Sequence, residues 1–199
     1  IKGSVHLVGD IMIDALKSSI TAAEKNSSVL EELNLKEKEF MVATVHRAGN
    51  TDDKTLLKSI VEAFVESGEK IVFPMHPRTT KALKSYNLDK KFEGTDVVVV
   101  SPLSYTDMLI LEKNARKILT DSGGMQKESY FFKVPCITLR DSTEWVETVN
   151  DGWNILAGAN KLKILNAIKN FNPKGRQHEK YGNGKASKNI ANIINKINL

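Results

Sequence analysis

The sequence contains a single cysteine, Cys136, among its 199 residues. One thiol cannot form an intramolecular disulfide, which excludes a disulfide-stabilised scaffold and favours a reducing compartment. Its setting in the apolar stretch 134–138 predicts a buried, inert thiol. No run approaches the roughly 18 to 20 consecutive apolar residues of a membrane helix, and the first residues lack the apolar core of a signal peptide. These absences predict a cytoplasmic protein with no membrane partner.

Several motifs of common functional classes are also missing. The net charge is +5, but most of the cations are lysines mixed with acidic residues, and no basic stripe with interleaved aromatics occurs, so we expect no nucleic-acid partner. Neither G-x-G-x-x-G nor G-x-S-x-G is present. Their absence argues against a nicotinamide-dependent dehydrogenase and against a catalytic serine nucleophile. The four histidines lack metal-ligand spacing, so we expect no metal. A basic cleft for an anionic small molecule remains compatible with the charge.

Short apolar runs alternate with amphipathic stretches from residue 40 onward. This alternation predicts a doubly wound, Rossmann-like parallel α/β sheet. The runs predict strands at 40–45, 70–74, 96–101, 116–120, 136–139 and 153–156, and a short strand at 5–8. Helices are predicted over 52–67, 79–86, 104–114, 123–132, 160–170 and 184–197. Thr51 or Asp52 is the expected cap of the first of these helices, and the four valines at 97–100 are typical of a strand covered on both faces.

Three segments are expected from the change of pattern along the chain. Residues 1–39 resemble a crossover or linker segment that enters from a preceding domain, which would make this chain a fragment. Residues 40–182 form the sheet domain. Residues 183–199 form a C-terminal helix whose apolar stripe needs a surface to cover, and the stripe consists of Ile190, Ile193, Ile194 and Ile197.

Polar clusters follow the ends of five predicted strands. They occupy 44–47, 76–78, 101–103, 121–124 and 140–144. Because the carboxyl ends of parallel strands meet at one edge of a sheet, these clusters predict one binding site.

Residues 121–128 are the most informative cluster. Ser122, Gly123 and Gly124 at a helix start would let backbone N–H groups approach a phosphate, although a serine cap followed by a glycine turn also explains them. Glu128 lies one turn beyond Gly124, where its carboxylate would accept two ribose hydroxyls.

The basic pairs His46–Arg47 and His76–Arg78 are expected to touch the ligand from the same rim. Histidines in such positions are also often merely hydrogen-bonded within the protein.

Together, these segments resemble the non-hydrolysing UDP-N-acetylglucosamine 2-epimerases. The matching stretches are 8–15 (VGDIMIDA), 44–47 (TVHR) with Asn50, 76–77 (HP), 121–128 (DSGGMQKE), 139–144 (LRDSTE) and 152–154 (GWN). The resemblance covers nearly the whole chain and implies the carboxyl-terminal half of a GT-B fold. That fold has two Rossmann-like domains with the active site between them.

The resemblance also implies a chemistry. The family inverts C2 of the sugar by eliminating UDP and adding it back, and it uses no cofactor or metal. Residues 40–182 would be the UDP-binding domain, with the diphosphate on 122–124, the ribose on Glu128 and the uracil on Leu103 and Met108. His46 would be the catalytic histidine. The other implied substrate-binding residues are Arg47, His76, Arg78, Gln126, Arg140 and Glu144. The implied partners are the UDP-sugar, an amino-terminal domain that carries the proton-transferring carboxylates, and a second copy in a full-length homodimer.

Two departures from the family pattern leave the substrate open. Gly49 replaces the glutamate of H-R-x-E-N, which puts regulation by substrate in doubt. Trp145 replaces the arginine of T-E-R-P-E, which removes a charge that Arg140 is near enough to replace. Trp145 in the stretch 143–147 (TEWVE), together with the opening stretch 8–12 (VGDIM), resembles the branch of the family that acts on UDP-2,3-diacetamido-glucuronate. The same residues would also suit a retaining GT-B glycosyltransferase or a non-catalytic UDP-sugar-binding module.

Overall fold

The computed structural model describes residues 4–197, and of Ile197 only the backbone. Six short strands form one parallel sheet in the spatial order β3-β2-β1-β4-β5-β6. The strands are β1 (Met41–Thr44), β2 (Ile71–Pro74), β3 (Val97–Val100), β4 (Ile118–Thr120), β5 (Cys136–Thr138) and β6 (Asn154–Leu156). The predicted doubly wound α/β fold is therefore confirmed.

Helices cover both faces of the sheet. They are α1 (Ile11–Asn26), α2 (Val29–Glu32), α3 (Ala48–Thr51), α4 (Lys54–Glu66), α5 (Pro77–Ser85), α6 (Tyr105–Asn114), α7 (Gly123–Phe131), α8 (Val146–Asn150), α9 (Lys161–Asn170) and α10 (Ala186–Ile197). A single 3-10 turn, Asp89–Phe92, precedes β3.

Alternation along the central strand explains why one sheet has two cores. Met41 and Ala43 of β1 join the hydrophobic cluster under α4, α5 and α9. Val42 points the other way, into the cluster under α1, α2, α6 and α7. Side chains of a strand alternate between its faces, so a central parallel strand must be apolar on both.

Local sequence mispredicts several elements. No strand forms at 5–8, which is extended chain ahead of α1. The four valines of β3 are not covered on both faces, because β3 is an edge strand, and Val99 is 44% exposed. Helix α4 is capped by Asp53, whose carboxylate accepts the N–H groups of Thr55 and Leu56, since Thr51 ends the separate helix α3. The periodicity does not predict the short helices α2, α3 and α8.

The two terminal segments of the chain pack against each other. The Asp14 carboxylate on α1 accepts the backbone N–H groups of Ala186 and Ser187, at 3.0 and 2.8 Å, at the start of α10. The stripe on α10 remains partly uncovered, with Ile190 37% and Ile194 50% exposed. The predicted stripe residue Ile197 has a side chain outside the described part of the structure. The boundaries at 39 and 182 stay predictions.

Strand order also fixes where a ligand can bind. The chain winds outward from β1 through β2 and β3, then returns to β4 on the other side of β1. In such sheets the crevice lies beyond the carboxyl ends of the strands at this reversal, here between β1 and β4. Within residues 4–197 no helix is both long and apolar enough to cross a membrane.

Two residues of α4 test this packing. Phe64 is fully buried and meets Phe73 edge-to-face at 5.6 Å, whereas Leu56 on the same helix is 38% exposed. We expect Phe64→Ala to lower the free energy of unfolding by about 3 to 5 kcal/mol and Leu56→Ala by at most about 0.5 kcal/mol. Urea titration followed by circular dichroism measures both. Equal losses would contradict the assigned face of α4.

Candidate functional site

A buried carboxylate joins the carboxyl ends of β1 and β4. Asp121, which follows β4 and is fully buried, accepts hydrogen bonds from the segment after β1. The donors are the backbone N–H and ring Nδ1 of His46, the backbone N–H of Arg47 and the side-chain amide of Asn50, all at 3.0 or 3.1 Å. Burial opposes ionisation of Asp121, but these donors outweigh it and lower its pKa.

The two histidines of the rim carry their protons on different atoms. The His46 Nδ1–H donates to Asp121, which leaves Nε2 of the neutral ring as an acceptor. The Nδ1 of His76 accepts the backbone N–H of Arg78 at 3.1 Å and caps α5, so its neutral ring presents Nε2–H as a donor. The two rings meet edge-to-face at 5.5 Å. The rim thus offers one acceptor and one donor side by side.

Helix α7 begins at the crevice with the predicted small residues. The Ser122 hydroxyl accepts the N–H of Met125 and caps the helix. A side chain at Gly123 would meet Trp145, because a Cβ placed there lies 3.1 Å from the indole nitrogen. The first N–H groups of a helix lack intrahelical partners, and the helix dipole favours negative charge there. This end of α7 is therefore shaped to bind an anion.

A cavity of about 410 Å³ opens in front of this helix end, and we call it the glycine cavity. Its walls are Met12, His46, Arg47, Ser122, Gly123, Gly124, Lys127, Glu144 and Trp145. Arg47 and Lys127 are cationic. Both lie within the same wall as the glycines, so the cavity combines backbone donors with positive charge.

Sequence reasoning missed Lys127. Its ammonium group lies 4.0 Å above the centre of the Trp145 ring and 2.6 Å from a carboxylate oxygen of Asp10, and its side chain is 8% exposed. Because Trp145 stands where the family pattern has an arginine, the site was expected to lose one positive charge. Lys127 supplies that charge instead. A signal was available, because Lys127 is four residues beyond Gly123 on one helix and so on the same face.

Arg140 was expected to replace the charge of the missing arginine, but in the structure it is paired with Glu144. The Arg140 guanidinium forms two bonds to Glu144, at 2.9 and 2.7 Å, and lowers the pKa of Glu144 to about 2. Glu144 lines the glycine cavity, so this pair forms its outer lip.

Two further predicted site residues form hydrogen bonds with other side chains of the protein. The Gln126 side chain is fully buried, accepting hydrogen bonds from Thr143 and Asn154, so it braces the 140–144 loop against α7. Arg78 binds Asp52 and Thr51 at the end of α3, at 2.6 and 2.8 Å.

A second, smaller cavity of about 170 Å³ adjoins the first, and we call it the leucine cavity. It is lined by Thr44, His46, Pro74, His76, Pro102, Leu103, Met108, Ser122 and Met125. His46 and Ser122 belong to both cavities. The predicted Leu103 and Met108 do come together here, and their apolar surfaces suit a flat ring.

Glu128 lies one turn further along α7 and is 7% exposed. One of its carboxylate oxygens accepts the hydroxyl of the exposed Tyr105 at 3.1 Å, and its carboxyl group also contacts that of the buried Glu112. Burial raises the pKa of Glu128. Sequence reasoning foresaw Glu128 but neither of these partners.

A larger polar cavity, of about 540 Å³, lies elsewhere, before the amino ends of β5 and β6, where Lys133, Trp153, Arg176, His178 and Glu179 line it. Across residues 4–197 no three His, Cys, Asp or Glu side chains are grouped to hold a metal ion. A cavity of about 360 Å³ beside the edge strand β3 is mainly apolar, with Met75, Leu83, Phe92 and Val97 in its walls. The two cavities at the carboxyl ends of β1 and β4 are the ones that bring together the polar clusters predicted from the sequence.

Comparisons with known proteins show which family the chain is similar to. A family model for UDP-N-acetylglucosamine 2-epimerase matches residues 2–195. A Methanococcus maripaludis protein named UDP-N-acetylglucosamine 2-epimerase homolog is 50% identical, over 99% of this chain and 56% of that protein. A Pseudomonas aeruginosa UDP-2,3-diacetamido-2,3-dideoxy-D-glucuronate 2-epimerase is 39% identical, over 96% of this chain and 52% of that protein.

Solved structures share the fold. The crystal structure of the Methanocaldococcus jannaschii UDP-GlcNAc 2-epimerase in complex with UDP-GlcNAc and UDP superposes with a TM-score of 0.87 at 42% identity, over 96% of this chain and 54% of that one. The chain spans about half the length of the curated relatives it matches. With a family model covering nearly all of its residues, the chain belongs to the UDP-N-acetylglucosamine 2-epimerase family.

Proposed function

We propose that this chain supplies the UDP-binding half of a UDP-N-acetylglucosamine 2-epimerase, which converts UDP-GlcNAc to UDP-ManNAc. The observation that carries the proposal is the continuity of the two cavities through His46 and Ser122. One cavity suits a diphosphate and the other a pyrimidine. A uridine diphosphate contains both groups, joined by a ribose.

The glycine cavity would hold the diphosphate. Backbone N–H groups of Gly123 and Gly124, the hydroxyl of Ser122, and the cations of Arg47 and Lys127 would meet the phosphate oxygens. When the sugar–oxygen bond breaks, negative charge grows on the departing UDP. Donors already fixed in place stabilise that charge without reorganising, which favours the elimination step.

His46 is the group of this chain placed closest to such chemistry. Its ring is fixed by Asp121, so Nε2 is presented to both cavities in one orientation. We assign it to the leaving diphosphate, whose oxygens accept hydrogen bonds, so the ring acts there with both nitrogens protonated, Nδ1–H donating to Asp121 and Nε2–H to the phosphate. Removal of the C2 proton and its return to the other face require two groups on opposite faces of the sugar. Those groups are assigned to the other half of the enzyme.

The remaining residues of the site fall into supporting and contacting roles. Leu103 and Met108 would flank the uracil, with His76 beside it. Glu128 would accept the ribose hydroxyls. Gln126 and the Arg140–Glu144 pair would fix the loop that carries Trp145, and Arg78 would hold the start of α5. An amino-terminal half, a full-length homodimer and a cytoplasmic location stay predictions.

The first test is binding without turnover. We expect the 199-residue chain to bind UDP in calorimetry and to incorporate no deuterium at C2 of UDP-GlcNAc in D₂O, because the phosphate contacts are local and the proton-transferring groups are not. Gly123→Ala should weaken UDP binding about tenfold or more, roughly 1.4 kcal/mol, since its Cβ would press on Trp145. Gly49→Ala, with nothing within 4 Å of the new Cβ, is the matched control. Exchange catalysed by this chain alone would refute the division of labour.

The second test concerns the ribose. Glu128→Ala should weaken UDP binding by about 1.5 to 3 kcal/mol, because a carboxylate that accepts two hydroxyls makes charged hydrogen bonds. Binding of 2′-deoxy-UDP should change much less. Glu39→Ala, an exposed acid before β1 at the opposite end of the sheet, should change neither ligand. If Glu128→Ala binds UDP as the wild type does, Glu128 does not contact the ribose.

A second substrate remains a candidate, UDP-2,3-diacetamido-glucuronate. The observation that favours it is Trp145, which lies against Gly123 and beneath Lys127 in the wall of the glycine cavity. An indole shapes this wall differently from a guanidinium. With Arg78 bound to Asp52, His76 is the rim residue left to meet the extra carboxylate.

Turnover separates the two substrates. The measurement is kcat/KM for both sugar nucleotides, on a protein that joins this chain to the half its relatives also possess. We expect UDP-N-acetylglucosamine to be the better substrate. A higher kcat/KM for the uronate would make it the preferred substrate. If the uronate turns over only at the background rate, Trp145 does not adapt the site to it.

A further inference from the structure

Two carboxyl groups share one buried space between α6 and α7. Glu112 on α6 is 2% exposed and Glu128 on α7 is 7% exposed, and their carboxyl groups lie within hydrogen-bonding reach of each other. Two carboxylates at such a distance repel, and burial makes the charge of each more costly. A hydrogen bond between them requires that one be protonated, since an ionised carboxylate only accepts.

Within residues 4–197 neither Glu112 nor Glu128 has a salt bridge. The charge of Lys127, whose ammonium group is bound to Asp10, favours the ionised form of Glu128 but not that of Glu112. Glu112 Oε2 is buried with no hydrogen-bond partner among the described residues. Burial and the charge of Glu128 raise the pKa of Glu112 well above its ordinary value. Glu128 has the Tyr105 hydroxyl as a donor and Glu112 has no such donor among the described residues, so Glu112 is the member of the pair that keeps the proton.

The other titratable groups around the pair are few. Tyr105 donates its hydroxyl to Glu128, and burial raises the pKa of the Cys136 thiol on β5 to about 12. Both groups are neutral at ordinary pH. Helices α1 and α2 also pack against α6, but their acids and lysines lie at the surface, in Asp14, Lys17, Glu24, Lys25, Glu31 and Glu32.

We infer that Glu112 is a positioning residue for the nucleotide: its protonated carboxyl group donates a hydrogen bond to Glu128 and fixes that carboxylate for the ribose hydroxyls. This inference rests on the proposed role of Glu128. With donors from Glu112 and Tyr105, Glu128 keeps a single negative charge and one orientation. Its remaining lone pairs are then available to a vicinal diol.

The test uses the ratio of the dissociation constants of 2′-deoxy-UDP and UDP, measured with the 199-residue chain. This ratio isolates the hydroxyl contact, because titration of the phosphates and of other cavity groups affects both ligands alike. Glu112→Gln keeps an N–H donor and cannot ionise. Glu112→Met fills similar space with no donor. Leu111→Met, a buried apolar change on the same helix, is the control for altered packing.

For the wild type we expect a ratio of about ten or more at pH 6, falling at least about threefold by pH 9 as the shared proton is lost. Glu112→Gln should keep the pH 6 ratio and remain flat with pH. Glu112→Met should lower the ratio about fivefold or more at every pH, and Leu111→Met should leave it unchanged.

Each failure has its own signature. A wild-type ratio near one contradicts the proposed ribose contact itself. A large ratio that Glu112→Met preserves overturns the positioning role alone. If Glu112→Met does not fold, the pH profiles decide, and coincident profiles for the wild type and Glu112→Gln overturn the role.

Discussion

The buried carboxylate of Asp121 is the interaction on which the site depends. It accepts hydrogen bonds from His46, Arg47 and Asn50, and so ties the chain after β1 to the end of β4 at the reversal of the sheet. These donors hold its pKa below the unfolded value of about 3.9. Its stabilising effect is therefore present above that pH and lost as the pH falls through the lowered value. One group fixes the fold at the crevice, the orientation of His46 and the entry to both cavities.

Periodicity predicts most of this fold, and strand order explains where it fails. Runs such as 70–74 and 136–139 are apolar because both faces of their strands are covered, and they form β2 and β5. The valine run at 97–100 carries the same local signal, yet β3 lies at the edge of the sheet. Which strand ends at an edge is decided by long-range pairing, which no window of the sequence contains. Local sequence is also insufficient on α4, because Leu56 is apolar but lies beside the buried face of the helix rather than on it.

In the candidate site, too, local sequence signals predict some residues, whereas the positions of others depend on long-range contacts. The glycines at 123–124 and the polar ends of the strands were predictable, because helix starts and strand ends have local signatures. Helical spacing could have placed Lys127 on the face of Gly123, but its position over Trp145 was not predictable, since it depends on Asp10, 117 residues earlier in the chain. The family resemblance implies Arg140 as a ligand of the substrate, but Glu144 takes both arms of its guanidinium. Charged side chains reach far, so their partners are set by tertiary structure.

The pairing of acids also bears on the part that the proposed function gives to this chain. Among the described residues at the cavities, each carboxylate already has a cationic or N–H partner: Asp10 has Lys127, Glu144 has Arg140, and Asp121 has the segment 46–50. Glu128 differs, because burial raises its pKa, but its carboxyl group is already occupied by Tyr105 and Glu112. A carboxylate that is held ionised by such partners is a poor base for a weakly acidic C–H bond. The site therefore neutralises and binds charge well and abstracts protons poorly, which supports the proposal that the proton-transferring groups lie outside this chain.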